Sequence, residues 1–388
     1  MALRPEITQT IRMCRHCFMC RHANPTFLVT KLDGHTPRGY ALALSRIEDG
    51  LAGWTEDLAT KLYQSTMDGL CAELCEFGWR EDLVVQAGRG EAIQAGMAPA
   101  TVERAARARG LDGTTAGPDV RTSGLEAVPG VPPSRLDREA ADVLFLTGLD
   151  ARLRAPRTVS TSAAVLEHLG CDWTMLTEER DPGIDLWELG YTDAAREAAG
   201  RFAADMTRWQ PASIVTGSSR VLRAIRELLP AWQVAQLPAA RHISEFLLAE
   251  LGISWHGVAR ADPDDRSGAE VVAYHDPCAL GRRLAVLDPP RQLIASLTGA
   301  PPAELFHTGK AAECCGGGGL LPEVDPGLSG RMARARLDRL PEGVTTVVTA
   351  CPTCRSALGA AAEAEGRDLE VLEISEFVAA RLGIRAEA

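Results

Sequence analysis

Apolar positions follow two different patterns along the chain. Over residues 1–95 they recur near helical spacing, as in EDLATKLYQSTMDGLCAEL (56–74), which predicts amphipathic helix. From residue 137 onward short, nearly continuous apolar runs take over: VLFLTG (143–148), SIVTG (213–217), VVAYH (271–275) and VTTVVTA (344–350). Such runs predict buried strands. Helical stretches such as AAVLEHLG and VLRAIRELLP lie between them. Strands alternating with helices predict an α/β architecture with largely parallel sheets. Residues 110–136 are rich in Gly, Pro, Ser and Thr, as a linker or surface crossing is. The preceding TVERAARARG (101–110) reads as a basic, solvated helix face.

The α/β part repeats itself. HISEFLLAELGI (242–253) matches EISEFVAARLGI (373–384) at most positions. Nearly the same shift lays SIVTGSSRV (213–221) on TVVTACPTC (346–354), and ADVLFLTGLD (141–150) on AEVVAYHDPC (269–278). The expected organisation is an N-terminal helical module over 1–100, a linker over 101–136, a first α/β repeat over 137–254 and a second over 255–388. A duplicated pair of this kind predicts a pseudo-twofold arrangement with sites at matching places.

Composition narrows the function. The 388 residues carry a net charge of −11 and no basic stripe with interleaved aromatics, which argues against a nucleic-acid partner. No apolar run reaches about 18 residues, the least that would cross a bilayer. The start, MALRPEITQTIRMC, lacks a signal-peptide core. The expected location is the cytoplasm, with peripheral membrane attachment through a partner left open. Of the 11 cysteines only Cys171 stands alone. Clustered thiols in a reducing compartment bind metal or do redox work.

The first cluster reads Cys14–Arg–His–Cys17–Phe–Met–Cys20–Arg–His–Ala–Asn24–Pro25. This is the bacterial ferredoxin run C-x2-C-x2-C-x3-C-P with Asn24 in the last cysteine place. Ser65, Asp68, Cys71 and Cys75 repeat that spacing with Ser and Asp in the first two places. In two-cluster ferredoxins the fourth cysteine of each run ligates the other run's cluster. Cysteines 14, 17, 20 and 75 then make one complete set for a cubane 4Fe-4S cluster. Ser65, Asp68, Cys71 and Asn24 make an incomplete one, since cluster iron favours thiolate. A zinc site using Cys14, Cys17, Cys20 and a distant thiol, His16 or His22 is the alternative.

The second constellation is His275–Asp276–Pro277–Cys278, then Glu313–Cys314–Cys315 followed by four glycines, then Cys351–Pro352–Thr353–Cys354. The same interval separates Cys278 from Cys314 and Cys315 from Cys351. The pieces flank predicted strands, whose ends carry the sites of open α/β sheets. The glycines would let backbone approach a bulky inorganic group. No Gly-Lys-Ser/Thr follows them, so they are not a P-loop.

These pieces resemble the cysteine-rich CCG domain of heterodisulfide reductase catalytic subunits. They are also similar to the iron–sulfur subunits of glycolate, lactate and glycerol-3-phosphate dehydrogenases. Thr36–Pro37–Arg38–Gly39 looks like that family's Ser-Pro-Arg-Gly stretch. The resemblance implies an N-terminal helical ferredoxin-like module followed by two tandem α/β CCG repeats. It implies a second 4Fe-4S cluster on Cys278, Cys314, Cys315, Cys351 and Cys354, noncubane in the heterodisulfide reductase branch, with zinc as the alternative in other branches. In the first repeat the matching places hold Leu149–Asp150, Asp181–Pro182, and Ser218 with Val221, so that site is expected to be empty of metal.

Two functions fit. One is an electron-transfer subunit of a flavin-linked dehydrogenase complex, taking electrons from a flavoprotein dehydrogenase subunit or an electron-transfer flavoprotein. No GxGxxG follows a strand, so the chain itself carries no dinucleotide fingerprint. The other is a heterodisulfide-reductase-like catalytic subunit cleaving a disulfide at the CCG cluster, with His275 as the proton-handling candidate beside His307 and Lys310.

Overall fold

A computed structural model of the chain describes residues 5–111, 131–234, 237–253 and 271–385. The N-terminal part is helical: Pro5–Met13, Pro25–Thr30, Pro37–Glu48, Glu56–Tyr63, Leu70–Leu74, Glu81–Gln94 and Ala100–Arg107. Local chemistry sets the starts. Asn24, Thr36 and Thr55 each accept a bond from the backbone N–H three residues on, and Pro25 and Pro37 occupy first helical positions. Tyr40, Leu44, Leu62, Val84 and Val85 fill the core between these helices.

Two expectations change here. The amphipathic stretch 56–74 is two helices, not one. Met67 and Gly69 take positive φ between them, at 51° and 79°. The carbonyls of Ser65 and Asp68 accept from Arg89 at 2.7 Å and from Arg282 at 2.8 Å, which takes them out of a helical ladder. The helix Ala100–Arg107 is not solvated all round. Val102, Ala105 and Ala106 are buried against Leu189 and Leu320. Of the expected linker, 112–130 lies outside the described residues.

The rest of the chain is α/β with two four-stranded, all-parallel sheets. The first contains β1 (Val143–Leu146), β2 (Trp173–Thr174), β3 (Ser213–Thr216) and β4 (Ala240–His242) in the order β2-β1-β3-β4. The second contains β5 (Val271–His275), β6 (Ala303–Glu304), β7 (Val344–Thr349) and β8 (Glu370–Glu373) in the order β6-β5-β7-β8. The two orders are one topology used twice. The four apolar runs of the sequence are the central strands, covered by helices and therefore apolar throughout. The edge strands are too short to show a pattern.

The halves pack reciprocally. Pro156–His168 of the first repeat packs on Ile374–Leu382 of the second, and Asp288–Thr298 of the second on Ile243–Glu250 of the first. This exchange of equivalent contacts is what a twofold relationship produces. Ser162 donates to Ser375 across the first contact at 3.0 Å. Among the described residues no helix is long and apolar enough to cross a membrane.

Candidate functional site

Cys14 follows the helix Pro5–Met13, Cys20 sits in a short turn at Met19–His22, and Cys75 closes Leu70–Leu74. With Cys17 they line one cavity, walled by Pro37, Arg38 and Trp79. His16 takes a positive φ of 53°, and its N–H reaches Cys14 Sγ at 3.4 Å. Burial pushes the Cys14 and Cys20 thiols up. Cys17 is exposed. Five thiols border this space, Cys71 being the fifth, and the four of the ferredoxin pairing, with a backbone N–H already directed at a sulfur, fit a cubane cluster. His16 and His22 are exposed.

The incomplete set is filled with a polar network. Ser65 Oγ and Asn24 Nδ2 donate to Glu81 Oε1 at 3.0 and 3.3 Å. Asn24 Oδ1 instead caps Phe27, and Asp68 faces Arg282. Burial and then the Asp68 carboxylate push Glu81 up to about 8, so it holds a proton at neutral pH. Cys71 is buried beside Ala23 and Leu70 as a small apolar side chain.

The second centre stands at the C-terminal ends of β5 and β7. Cys278 follows β5, Cys351 is the N-cap of Pro352–Ala364 after β7, and Cys354 lies in that helix's first turn. Cys314, Cys315, Cys351 and Cys354 are buried. The five sulfurs form a chain of contacts, Cys278 to Cys314, Cys314 to Cys315, Cys315 to Cys354 and Cys354 to Cys351. Hydrogen bonds from Cys314 and Cys354 lower Cys315 to about 6, and the bond from Cys354 lowers Cys351. The N–H groups of Gly316 and Gly317 reach Cys314 Sγ and Cys315 Sγ, both at 3.4 Å.

The glycines serve protein packing. A Cβ on Gly316, whose φ is +86°, would lie 2.6 Å from Ser329 O, and one on Gly318 would lie 2.5 Å from Thr66 O. Backbone approaches backbone there, clamping the Cys-Cys loop between the helix Pro326–Leu337 and the N-terminal module.

His275 ends β5 and is 1% exposed. Its Nδ1 accepts from Arg336 Nε at 3.2 Å. Burial, then the Arg336 guanidinium, hold its pKa down to about 3, so the ring is neutral around pH 7. A ring nitrogen of His275 and the sulfurs of Cys315 and Cys354 lie within 4.8 Å of one another. His307 is exposed and pairs with Glu313 at 2.8 Å; Lys310 is exposed. Five thiols exceed the four ligands zinc takes in structural sites. Five clustered thiols, four of them buried, also need cations to offset their charge once they ionise. An iron–sulfur cluster meets both conditions.

The first repeat's matching places hold no cysteine, and their polar groups are satisfied internally. Asp150 Oδ2 accepts from Thr353 at 3.1 Å, Ser218 caps Val221, and Asp181 accepts from Gly183 N at 2.7 Å. Arg220 joins Asp185 and Glu188. This repeat still serves the site: Glu188, Arg220 and Arg223 line a cavity shared with Cys278, Cys315, Cys351 and Cys354, and Thr66 and Asp68 border it from the N-terminal module. Sequence reasoning missed these arginines and Arg336, since no motif surrounds them and only the fold brings them here.

Residues 272–359 match the CCG family, described as a cysteine-rich domain. The chain is similar to a subunit of the dihydromethanophenazine:CoB–CoM heterodisulfide reductase of Methanosarcina acetivorans, 26% identical over 350 residues, covering 86% of this chain and 80% of that protein. It is similar to a probable membrane-anchored ferredoxin of Chromohalobacter salexigens, 32% identical over 260 residues, covering 64% of this chain and 37% of that one. Lactate utilization protein A of an Exiguobacterium species is 24% identical over 245 residues, covering 61% of this chain and 95% of its own length.

Proposed function

Starting from a chain that carries a CCG cysteine-rich domain and resembles CCG-domain iron–sulfur oxidoreductases, we propose that it is the iron–sulfur electron-transfer subunit of a flavin-linked dehydrogenase complex. It relays electrons between a flavoprotein partner and a downstream acceptor in the cytoplasm. Cys14, Cys17, Cys20 and Cys75 hold a cubane 4Fe-4S cluster. Cys278, Cys314, Cys315, Cys351 and Cys354 hold a second 4Fe-4S cluster.

One observation carries this reading. The chain holds two thiol centres of opposite exposure, one with Cys17 at the surface and one buried where both repeats and the N-terminal module meet. An exposed cluster suits exchange with a partner protein. A buried one is tuned by its surroundings. When bound, the clusters supply one-electron chemistry, and the chain sets their spacing, burial and hydrogen bonding.

The test is anaerobic purification with iron, acid-labile sulfide and zinc counts, followed by mixing with a flavoprotein dehydrogenase and its substrate. About eight irons per chain with matching sulfide, and bleaching of the cluster absorbance on mixing, are expected. About four irons with one zinc would overturn the second cluster.

The cavity beside the buried cysteines favours a second reading, cleavage of a disulfide at a noncubane CCG cluster. Arg220, Arg223 and Thr353 line it with four of the five thiols. An unchanged spectrum when disulfide is added to the reduced protein would remove this reading.

A further inference from the structure

The two ring nitrogens of His275 have different surroundings. Nδ1 accepts from Arg336 Nε at 3.2 Å. A guanidinium can only donate, so Nδ1 carries the lone pair, and the proton of the neutral ring sits on Nε2. Arg336 is fixed in this role. Its Nη1 donates to Phe306 O at 2.7 Å and its Nη2 to His307 O at 2.9 Å, and the side chain is 1% exposed. Nε2 is buried and has no hydrogen-bond partner among the described residues. The ring nevertheless stands against Cys315 and Cys354, with a nitrogen within 4.8 Å of both sulfurs. Since Arg336 occupies Nδ1, Nε2 is the nitrogen left for whatever the cysteines hold. A buried N–H is costly unless something accepts from it.

We infer that His275 donates its Nε2–H to a sulfur of the cluster at the CCG centre, and that Arg336 is the positioning residue that fixes this tautomer. Ligation through Nε2 would require the proton on Nδ1, where the Arg336 N–H already points. His275 therefore is not a ligand, although its distance to the sulfurs is close enough to suggest one. An N–H directed at a cluster sulfur stabilises the more negative, reduced state, and the Gly316 and Gly317 amides already reach the sulfurs of Cys314 and Cys315. His275 accordingly raises the reduction potential of this cluster. The inference rests on the reading that the centre holds an iron–sulfur cluster.

The test uses the purified, cluster-loaded full chain. Iron and zinc are counted first, then the midpoint potential of the CCG cluster is measured by EPR-monitored titration. His275→Phe keeps the iron content and shifts the potential to more negative values. Arg336→Met shifts it in the same direction by less, since the ring then divides between tautomers. Pulsed EPR of the reduced unaltered protein, grown with 15N-histidine, shows a weak nitrogen coupling and an exchangeable proton. Both are lost in His275→Phe. Strong nitrogen coupling, with iron lost from His275→Phe, would make His275 a ligand and overturn the inference. An unchanged potential in both variants would also overturn it. Zinc with about four irons overturns the cluster reading itself and is recognised before any potential is measured. Should His275→Phe fail to fold, Arg336→Met and the spectra of the unaltered protein decide.

Discussion

The hydroxyl of Thr353, inside the Cys-Pro-Thr-Cys motif, donates to Asp150 Oδ2 at 3.1 Å. In the aligned repeats Asp150 occupies the place of Cys278. The residue that stands in one repeat at the place of Cys278 thus supports the helix carrying Cys354 in the other. Burial raises the Asp150 carboxyl and Arg220 opposes that, so the group is held by its neighbours. Asp150→Ala is expected to cost about 1–3 kcal/mol by leaving Thr353 unpaired. Asp150→Cys is expected to leave iron content unchanged, because Asp181, Pro182, Ser218 and Val221 still fill the other four places. Chemical denaturation and iron analysis check both.

Cys71 and Cys75 lie one helical turn apart and are expected to behave oppositely. If the proposed pairing holds, Cys75→Ala removes a ligand of the cubane cluster and lowers the iron count by about four per chain, with loss of one cubane signal. Cys71→Ala is expected to leave iron and spectra unchanged, because the pairing assigns Cys71 to the incomplete set although its side chain borders the same cavity. Equal iron loss in both would mean that the ferredoxin pairing does not apply here.

His242 and Glu373 are equivalent N-caps of the two repeats, both buried, and burial moves their pKa values in opposite directions. Glu373 is pushed up from 4.5 to about 8. Its native form keeps a proton that the unfolded form gives up, so its contribution is full below 4.5 and is lost as pH rises through about 8. His242 is held down from 6.5 to about 4. Its contribution is full above 6.5 and is lost as pH falls through about 4. Glu373→Gln is expected to flatten the alkaline limb of a stability–pH curve, and His242→Asn the acid limb. Urea midpoints across pH measure both.

Arg89 joins the three parts of the chain. Its guanidinium donates to the carbonyls of Leu62 (2.9 Å), Ser65 (2.7 Å), Glu188 (2.6 Å) and Gly319 (3.2 Å). Arg89→Met leaves these acceptors buried without a donor. The expected loss is about 1–3 kcal/mol, the scale for leaving buried acceptors unpaired. Thermal unfolding should then separate into more than one transition as the N-terminal helices come free.

Gly318→Ala places a Cβ 2.5 Å from Thr66 O, a clash that backbone must relieve. The Cys-Cys loop is expected to shift away from the N-terminal module. Iron bound by the CCG centre falls while the cubane signal persists, which iron analysis with EPR reads directly.

The grouping of the cysteines, the duplication and the α/β class are legible in the order of residues alone, because they are local properties. Ligand spacing is written in consecutive residues, a buried central strand is apolar throughout, and a repeat shows itself as similarity at a fixed shift. The broken sets are legible too, since Asn24, Ser65, Asp68, Asp150 and Ser218 stand where cysteines would. The break in 56–74 is not, because Arg89 and Arg282, both outside the segment, take the carbonyls of Ser65 and Asp68. Nor are the edge strands, which carry too few residues to show a period. What surrounds the thiols is settled by packing. Arg336 reaches His275 from a separate helix, Gly318 meets Thr66, and Glu81 fills the incomplete ferredoxin set, because the fold joins residues that the chain keeps far apart. A hydrogen bond or an ion pair depends on distance in space, and no spacing along the chain encodes it.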